Sequence, residues 1–515
     1  MWVGSWKNRT DSPLGITWTN ESVKTLGVYF GNDNTSEKTF LDIILKIKRS
    51  MNYWKQFKLC KFAKARVTEI FHASRLWYAS TFYPIPNKMK TDLQASFKEY
   101  INFPRRPTVS ETEMKKLRTD GGIKLIDIQT RIDTSRCMWL LNLVHNPELK
   151  ASLAVMSRLV GMQKGGLIGP DLIFTDIRYS RLLRIPNSMF YLQGLKAAAK
   201  LTLNKRIDDL NEEKIFYNPF FRDENLHTIP ITKRCERHKV YTYGEVAQEY
   251  VRQSQGLPHV SYIANIYPRI THFDIHGKSQ NTIFLSDIQA TVSFGVVTHK
   301  NVYEELLRKN YVDHHSEEKW EHKFQSQLNW SKIWESLNNP VTTEKVKTTI
   351  WEQIHLNDYC TYSYNKWHKT NDPCPLCALV PLTKFHLTLD CPVTVSLWQQ
   401  LEPYLLNLSP CRVTDYEKVF GIVGNSPEII LRNWLTFHLR QCIVEQESIA
   451  FHNKRGVMNE EDIKEAYNIR IKEEVLEKSI IYPHLGRQAY FEKIFAVRDF
   501  LITWNYDNWQ ILSFF

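Results

Sequence analysis

Four residues between Asp372 and Trp398 have the types and the spacing of a metal site. Cys374, Cys377, His386 and Cys391 make a C-x2-C-x8-H-x4-C pattern. Zinc takes four thiolate or imidazole ligands in a tetrahedron, and three cysteines with one histidine is a standard set. Two cysteines separated by two residues reach one metal from a single tight turn. Pro373 and Pro375 favour such a turn, because proline fixes φ and discourages helix in the residue before it. His386 and Cys391 are about one and a half helical turns apart, so a short helix or a bend must bring them together. The alternative is three buried thiols and a core histidine. Four ligands of the right type within 18 residues, in a chain of only nine cysteines, favour the metal.

The second chemical feature is charge. The chain carries a net +12, and residues 1–150 hold 25 Lys and Arg against 14 Asp and Glu, or 25 − 14 = +11. Between Ile43 and Thr68 there are eight cations and no acid: Lys46, Lys48, Arg49, Lys55, Lys58, Lys61, Lys64 and Arg66. A dense positive surface attracts a phosphate backbone by releasing its counterions. A solvated helix face is the plain alternative for a short run, and the length of this one favours RNA or DNA. Other chemistries are poorly served. There is no H-E-x-x-H for a metalloprotease, Gly121-Gly122 lies in no phosphate-loop pattern, and His314-His315 reads as a solvated loop pair. No catalytic residue is assigned.

These side chains need elements to hold them, and the pattern is mainly helical. Val23–Phe30 reads as a strand closed by a turn at Gly31-Asn32-Asp33. From Ser36 the period becomes helical: Ile44, Ile47, Met51 and Trp54 form one apolar stripe. Phe62, Val67, Ile70, Phe71, Ser74 and Tyr78 continue it in a second helix that ends before Pro84. A third runs from Lys88 to Ile101. The paired glycines at 121–122 answer a backbone need before a short strand or turn, and Arg131–Val144 is a helix. Further on, helices are expected over Ala197–Asn211 and Tyr241–Gln253, and strands at His259–Ile263 and Thr282–Leu285. Lys300–Lys309 is a helix capped by Thr298 or Asn301. Helices then open at Trp330 and cover Thr342–His355, Thr394–Leu406, Ile429–Ser448, Glu460–Glu477 and Tyr490–Phe500, with Gly486 breaking the last two. No repeat is present, and no apolar run approaches the roughly 18 residues of a membrane span.

Four blocks together resemble the C-terminal part of the reverse transcriptase of LINE-type (non-LTR) retrotransposons. They are MWVGSW with VKTLGVYFG; the stretch Trp54–Phe103 with Lys64-Ala65-Arg66, Tyr78 and Tyr100-Ile101-Asn102-Phe103; Gly121-Gly122-Ile123-Lys124-Leu125-Ile126-Asp127; and Thr298–Trp398. The last runs from Val302-Tyr303 through Trp330, Trp334, Trp351 and Trp367 to the cysteine–histidine cluster and Trp398. The blocks cover about half the chain. The resemblance implies a palm-edge β-hairpin remnant at 1–35, a basic thumb-like helical region at 36–150, a mixed wrist-like region at 151–297, a helical segment with the CCHC knuckle at 298–410 and a helical segment at 411–515.

The same resemblance implies template–primer or target binding, by the thumb cations and by aromatic side chains near the knuckle such as Trp367, Phe385 and Trp398. The paired aspartates that a polymerase of this family needs lie upstream of the first block in the family, and Asp208-Asp209 sits in a polar helical stretch. The expectation is therefore a nucleic-acid-binding region without polymerase activity of its own, with structural zinc and with RNA or DNA as partner. Upstream reverse transcriptase domains would be supplied by a longer product. Two alternatives stay open: a domesticated structural or interaction protein, and a partial chain of an active RNA-directed DNA polymerase. The cysteine usage and the absence of a signal-like start point to the nucleus or cytoplasm rather than to secretion.

Overall fold

A computed structural model describes residues 21–31, 34–104, 109–145, 189–201, 203–206, 208, 221–227, 229, 238, 240, 242–275, 282–286, 289–311, 315–356, 361–379, 385–453, 459–505, 508–512 and 514. The fold is mainly helical, and its strands form only small antiparallel sheets. The chain divides into two units. The first comprises Met1–Asn52, Phe71–Ser96 and Ile126–Val312; the second comprises Tyr53–Ile70, Phe97–Leu125 and Asp313–Phe515. The segment resembling a thumb thus contributes to both.

In the first unit the stretch Val23–Phe30, read as a strand within an expected hairpin region, is itself a hairpin, Val23–Thr25 against Val28–Phe30. The chain reverses at Leu26-Gly27, both with positive φ (50° and 84°), as the tightest hairpin loops require. The helix Thr35–Trp54 buries Ile44, Ile47 and Met51 of the expected stripe together with Phe40, while Trp54 is half-buried. Further along the chain, the helical stretch from Lys61 to Phe82, which belongs to this unit from Phe71 on, contains a π-helical turn at Thr68–Ala73. That turn resets the register. Ile70, Phe71 and Tyr78, expected on the apolar side, are exposed, while His72, Ala73, Leu76 and Ala79 are buried.

The helix Ile128–His145 packs on Met189–Ala199 and His299–Asn310 around Leu140, Leu141, Leu195, Val302 and Leu306. A Cβ on Gly194 would lie 2.7 Å from Leu140, so glycine is what lets those two helices approach. Thr298 and Asn301 form a reciprocal capping box at the head of the third helix. Asp127 ties the unit's polar interior: its carboxylate accepts from Thr130 (2.5 Å) and Tyr311 (3.0 Å). Two expectations fail here. The helix predicted over 197–211 ends at Ala199 and gives way to a strand at Leu203–Arg206, leaving 209–211 outside the described residues. The strand predicted at 259–263 is instead the start of a short helix, Ser261–Ala264, whose Ile263 and Ala264 are buried side by side. Its apolar run was short enough to fit either period.

In the second unit the helix Lys61–Val67 packs on Glu344–Ile354 through Phe62 and Trp351 (ring centroids 6.2 Å) and the ion pair Lys61–Glu352 (2.8 Å). The glycine pair meets a backbone need. Gly121 has φ +80° beneath the Trp334 indole, and a Cβ on Gly122 would strike the Lys116 carbonyl at 1.9 Å. The Gly121 carbonyl accepts from Trp351 Nε1 at 2.7 Å. The long helices Pro427–Asn453 and Glu460–His484, with Pro392–Leu408 and Gln488–Phe495, enclose a core of Leu397, Leu401, Leu431, Trp434, Leu435, Tyr467 and Phe495. Gly486, φ +68°, ends the second of these helices, with Arg487 N–H bonded back to Tyr482. Arg432 crosses this core fully buried. Its guanidinium donates to both carboxylate oxygens of Glu417 (2.5 and 2.8 Å) and to the carbonyls of Leu405, Ser409 and Cys411.

Candidate metal centre

The four predicted ligands converge. The Sγ atoms of Cys374, Cys377 and Cys391 and a ring nitrogen of His386 all lie within 4.8 Å of one another. A tetrahedron with Zn–S near 2.3 Å places sulfurs roughly 3.8 Å apart, so a contraction of about 1 Å at the widest pair closes the site. Cys377 Sγ and His386 Nε2 are already 3.3 Å apart. Among the described residues no other group of three or more such side chains comes together.

Each ligand is placed by an identifiable local device. Cys374 precedes the turn Pro375–Cys377 and Cys377 ends it, and the turn is closed by Ala378 N–H donating to the Cys374 carbonyl (2.8 Å). Ala378 takes φ +56° to do so, an unusual conformation for a residue with a Cβ. His386 opens the π-helical turn His386–Asp390, and Cys391 closes it, its N–H donating to the His386 carbonyl at 2.7 Å. The widened turn is the solution to the five-residue spacing. In an α-helix residues five apart point about 140° away from each other; the extra residue per turn of a π-turn brings them to one side. Cys391 is also the N-cap of Pro392–Leu408, with Pro392 in the first helical position.

Neighbouring groups hold the turn. Thr394 Oγ1 donates to the Leu387 carbonyl (3.1 Å), and Trp398 Nε1 donates to the Thr388 carbonyl (3.4 Å). Beneath lie Leu376, Leu387 and Leu397 of the unit's core. Cys374, His386 and Cys391 are buried and Cys377 is half-buried. The electrostatics favour a metal. The Cys391 thiol is held far below its ordinary value, first by the Cys374 thiol and then by His386 and the backbone N–H groups of Thr394 and Val393. A thiol lowered in this way at a helix N-terminus is closer to the thiolate form that a metal needs. The Cys374 thiol is pushed up by the same hydrogen bond and by burial, and burial raises Cys377.

The predicted cations divide. Lys46, Lys48 and Arg49 in the first unit, and Lys58 and Arg66 in the second, are exposed. Lys55 is half-buried, 3.6 Å from Glu99 and over the Phe103 ring at 5.1 Å. Lys61 and Lys64 are corrections to the expected cation surface, because both are buried. Lys61 is spent on Glu352, and Lys64 donates to the Phe103 carbonyl. Burial, with Lys61 and Lys55 nearby, lowers Lys64 to about 8. Their positions on the packed face of Lys61–Val67 cannot be told from solvent-facing ones by charge count alone.

The predicted stacking aromatics also shift. Trp398 is 2% exposed and belongs to the core. Phe385 is half-buried against Trp320 (4.8 Å between centroids), with Lys323 Nζ over its ring at 5.1 Å. Trp367 belongs to the helix Thr361–His368, but its side chain lies outside the described residues. Arg75 escaped the sequence reading because Glu69 interrupts the acid-free run before it. It is exposed, and its Nη1 donates to the Lys46 carbonyl at 3.3 Å, which adds a cation beside Lys46, Lys48 and Arg49.

No protein-family model matches the chain, and a search of curated proteins finds no match. None of the described helices is long and apolar enough to cross a membrane.

Proposed function

We propose that this chain is a nucleic-acid-binding region of the kind found C-terminal to the catalytic core of LINE-type reverse transcriptases, stapled by one structural zinc ion. The observation that carries the reading is the closure of Cys374, Cys377, His386 and Cys391 into one ligand-sized cluster on a core helix cap. Zinc fits three thiol ligands and one imidazole better than a hard cation, which takes oxygen. It would hold the knuckle together and perform no chemistry. The nucleic-acid side of the reading rests on Lys46, Lys48, Arg49 and Arg75, all exposed in the first unit. Such cations give salt-dependent, sequence-tolerant affinity, because phosphate contacts position without specifying. Catalysis would need a palm with its aspartates, supplied by upstream domains.

Gel retardation of the full chain with RNA and DNA, single-stranded and duplex, tests the proposal. Binding is expected at low salt and should weaken steeply as salt rises. The triple variant Lys46→Glu, Lys48→Glu, Arg49→Glu should lose at least tenfold in affinity and reduce the salt slope by about two to three, at roughly 0.9 per duplex phosphate contact. No retardation of any RNA or DNA sinks the nucleic-acid reading. Full metal content in that case favours an interaction module, for which Ile469, Leu476 and Ile480 on the exposed side of Glu460–His484 offer a surface.

A further inference from the structure

The helical stretch from the π-helical turn at Thr68–Ala73 to Phe82 carries a row of half-exposed rings with one arginine among them. Phe71, Arg75, Tyr78 and Phe82 follow at intervals of four, three and four residues, which puts them on one helix face. Phe71 is 46% exposed, Tyr78 49% and Phe82 48%, and Arg75 is exposed too. Tyr78 and Phe82 are in edge contact (5.2 Å between centroids), and Phe82 meets Phe30 of the hairpin edge-on at 6.0 Å. Large rings are ordinarily hidden, and three of them in line with an arginine are not a scattered surface hydrophobe.

Charge identifies what covers the row. Thr35–Trp54 runs alongside in the same unit, tied at one end by Ser36 Oγ to the Pro84 carbonyl (2.9 Å) and at the other by Arg75 to the Lys46 carbonyl (3.3 Å). Lys46, Lys48 and Arg49 therefore lie on the helix beside the Arg75 end of the row. An apolar protein surface would meet four cations there with nothing to neutralise them. A strand of unpaired nucleotides meets both demands: its phosphates face the cations and its bases have flat faces for the rings. A duplex keeps its base faces stacked inside and cannot use the rings.

We infer that Phe71, Tyr78 and Phe82, with Arg75, form a stacking platform for single-stranded RNA or DNA, fed by the cations of the neighbouring helix. The inference rests on the nucleic-acid reading above and narrows it from any nucleic acid to unpaired strands. Base–aromatic stacking is a factor of roughly five to a hundred per base, largely independent of sequence.

The test is binding by the full chain to a single strand carrying 2-aminopurine and to a duplex of equal length at equal salt. The wild type should prefer the single strand at least tenfold and quench the 2-aminopurine on binding. Tyr78→Ala with Phe82→Ala should lose at least tenfold for the single strand, abolish the quenching and leave the salt slope and duplex affinity unchanged. Tyr78→Trp with Phe82→Trp should restore single-strand affinity. Both side chains are half in solvent, and an unchanged melting profile verifies that each variant folds. The platform is overturned if the double alanine variant binds and quenches like the wild type, or if the duplex is preferred. Either result leaves the cation-based reading standing. Absence of all nucleic-acid binding overturns both.

Discussion

At the residue scale the most informative position is Ala378. It closes the cysteine turn with φ +56°, where a Cβ crowds the following carbonyl at about 1–2 kcal/mol. Glycine removes that strain but adds chain entropy to the unfolded state, about 0.5–1 kcal/mol. Ala378→Gly should therefore stabilise the protein by up to about 1.5 kcal/mol, whereas Ala378→Val should destabilise it, since a β-branched residue tolerates this conformation least. Thermal unfolding of the two variants decides it. Destabilisation by glycine would mean that the turn is not the one described. Lys64 gives a second residue-level expectation, through pH. Its folded value, about 8, lies below its unfolded 10.5, so between these the unfolded chain holds more protons. Stability linked to Lys64 must then rise as pH climbs from about 8 to 10.5, by at most a few kcal/mol. In Lys64→Met that rise should be missing when unfolding free energies of the two proteins are compared across this window. Because Lys64 is buried, the same variant should leave the salt slope of nucleic-acid binding unchanged.

At the scale of elements, the π-turn His386–Asp390 decides whether the four ligands meet. Trp398 supports it from the next helix, with its indole N–H on the Thr388 carbonyl and its ring in the core. Trp398→Ala should cost about 3–5 kcal/mol of stability and weaken zinc binding together, as expected for emptying a buried aromatic site. Trp398→Phe should retain most stability and leave nucleic-acid affinity untouched, since the ring faces no solvent; a loss of binding in the phenylalanine variant would return Trp398 to the interface. This element also marks the limit of what the sequence discloses. The ligand set, the cysteine turn, the capping box at Thr298 and the breaker at Gly486 are legible, because each depends on residues within a few positions of one another. Both π-turns are not. An inserted residue changes no local propensity, yet it moves every later side chain around the helix. That is why Ile70 and Tyr78, expected on the apolar side, are exposed, and why His386 and Cys391, five residues apart, meet on one side. The burial of Lys61 and Lys64 was hidden for a different reason: their partners, Glu352 and the Phe103 carbonyl, are fixed only by tertiary packing.

At the scale of the whole molecule, the metal cluster belongs to the second unit alone. Cys374, Leu376 and Cys391 are members of the same core as Trp434, Tyr467 and Phe495, so the knuckle is a wall of that core and not an appendage. A structural zinc contributes its binding energy to folding. Removing it would leave three thiols and an imidazole buried without their common partner. Chelation should therefore lower the melting temperature and should act locally. Hydrogen exchange should accelerate across Pro392–Leu408, Pro427–Asn453 and Glu460–His484, which share that core. The first unit's core around Leu140, Leu195 and Leu306 contains no ligand and should keep its protection. Exchange measured by mass spectrometry before and after chelation distinguishes this from a global effect. Equal loss of protection in both units would mean that they do not unfold separately; no change in either would mean that the four side chains pack as ordinary core residues and bind no metal. The expected pattern, loss confined to the second unit, would make the zinc site a local stability element. The cation surface on Thr35–Trp54 should then keep its nucleic-acid affinity in the chelated protein, a result that the same samples can supply by gel retardation.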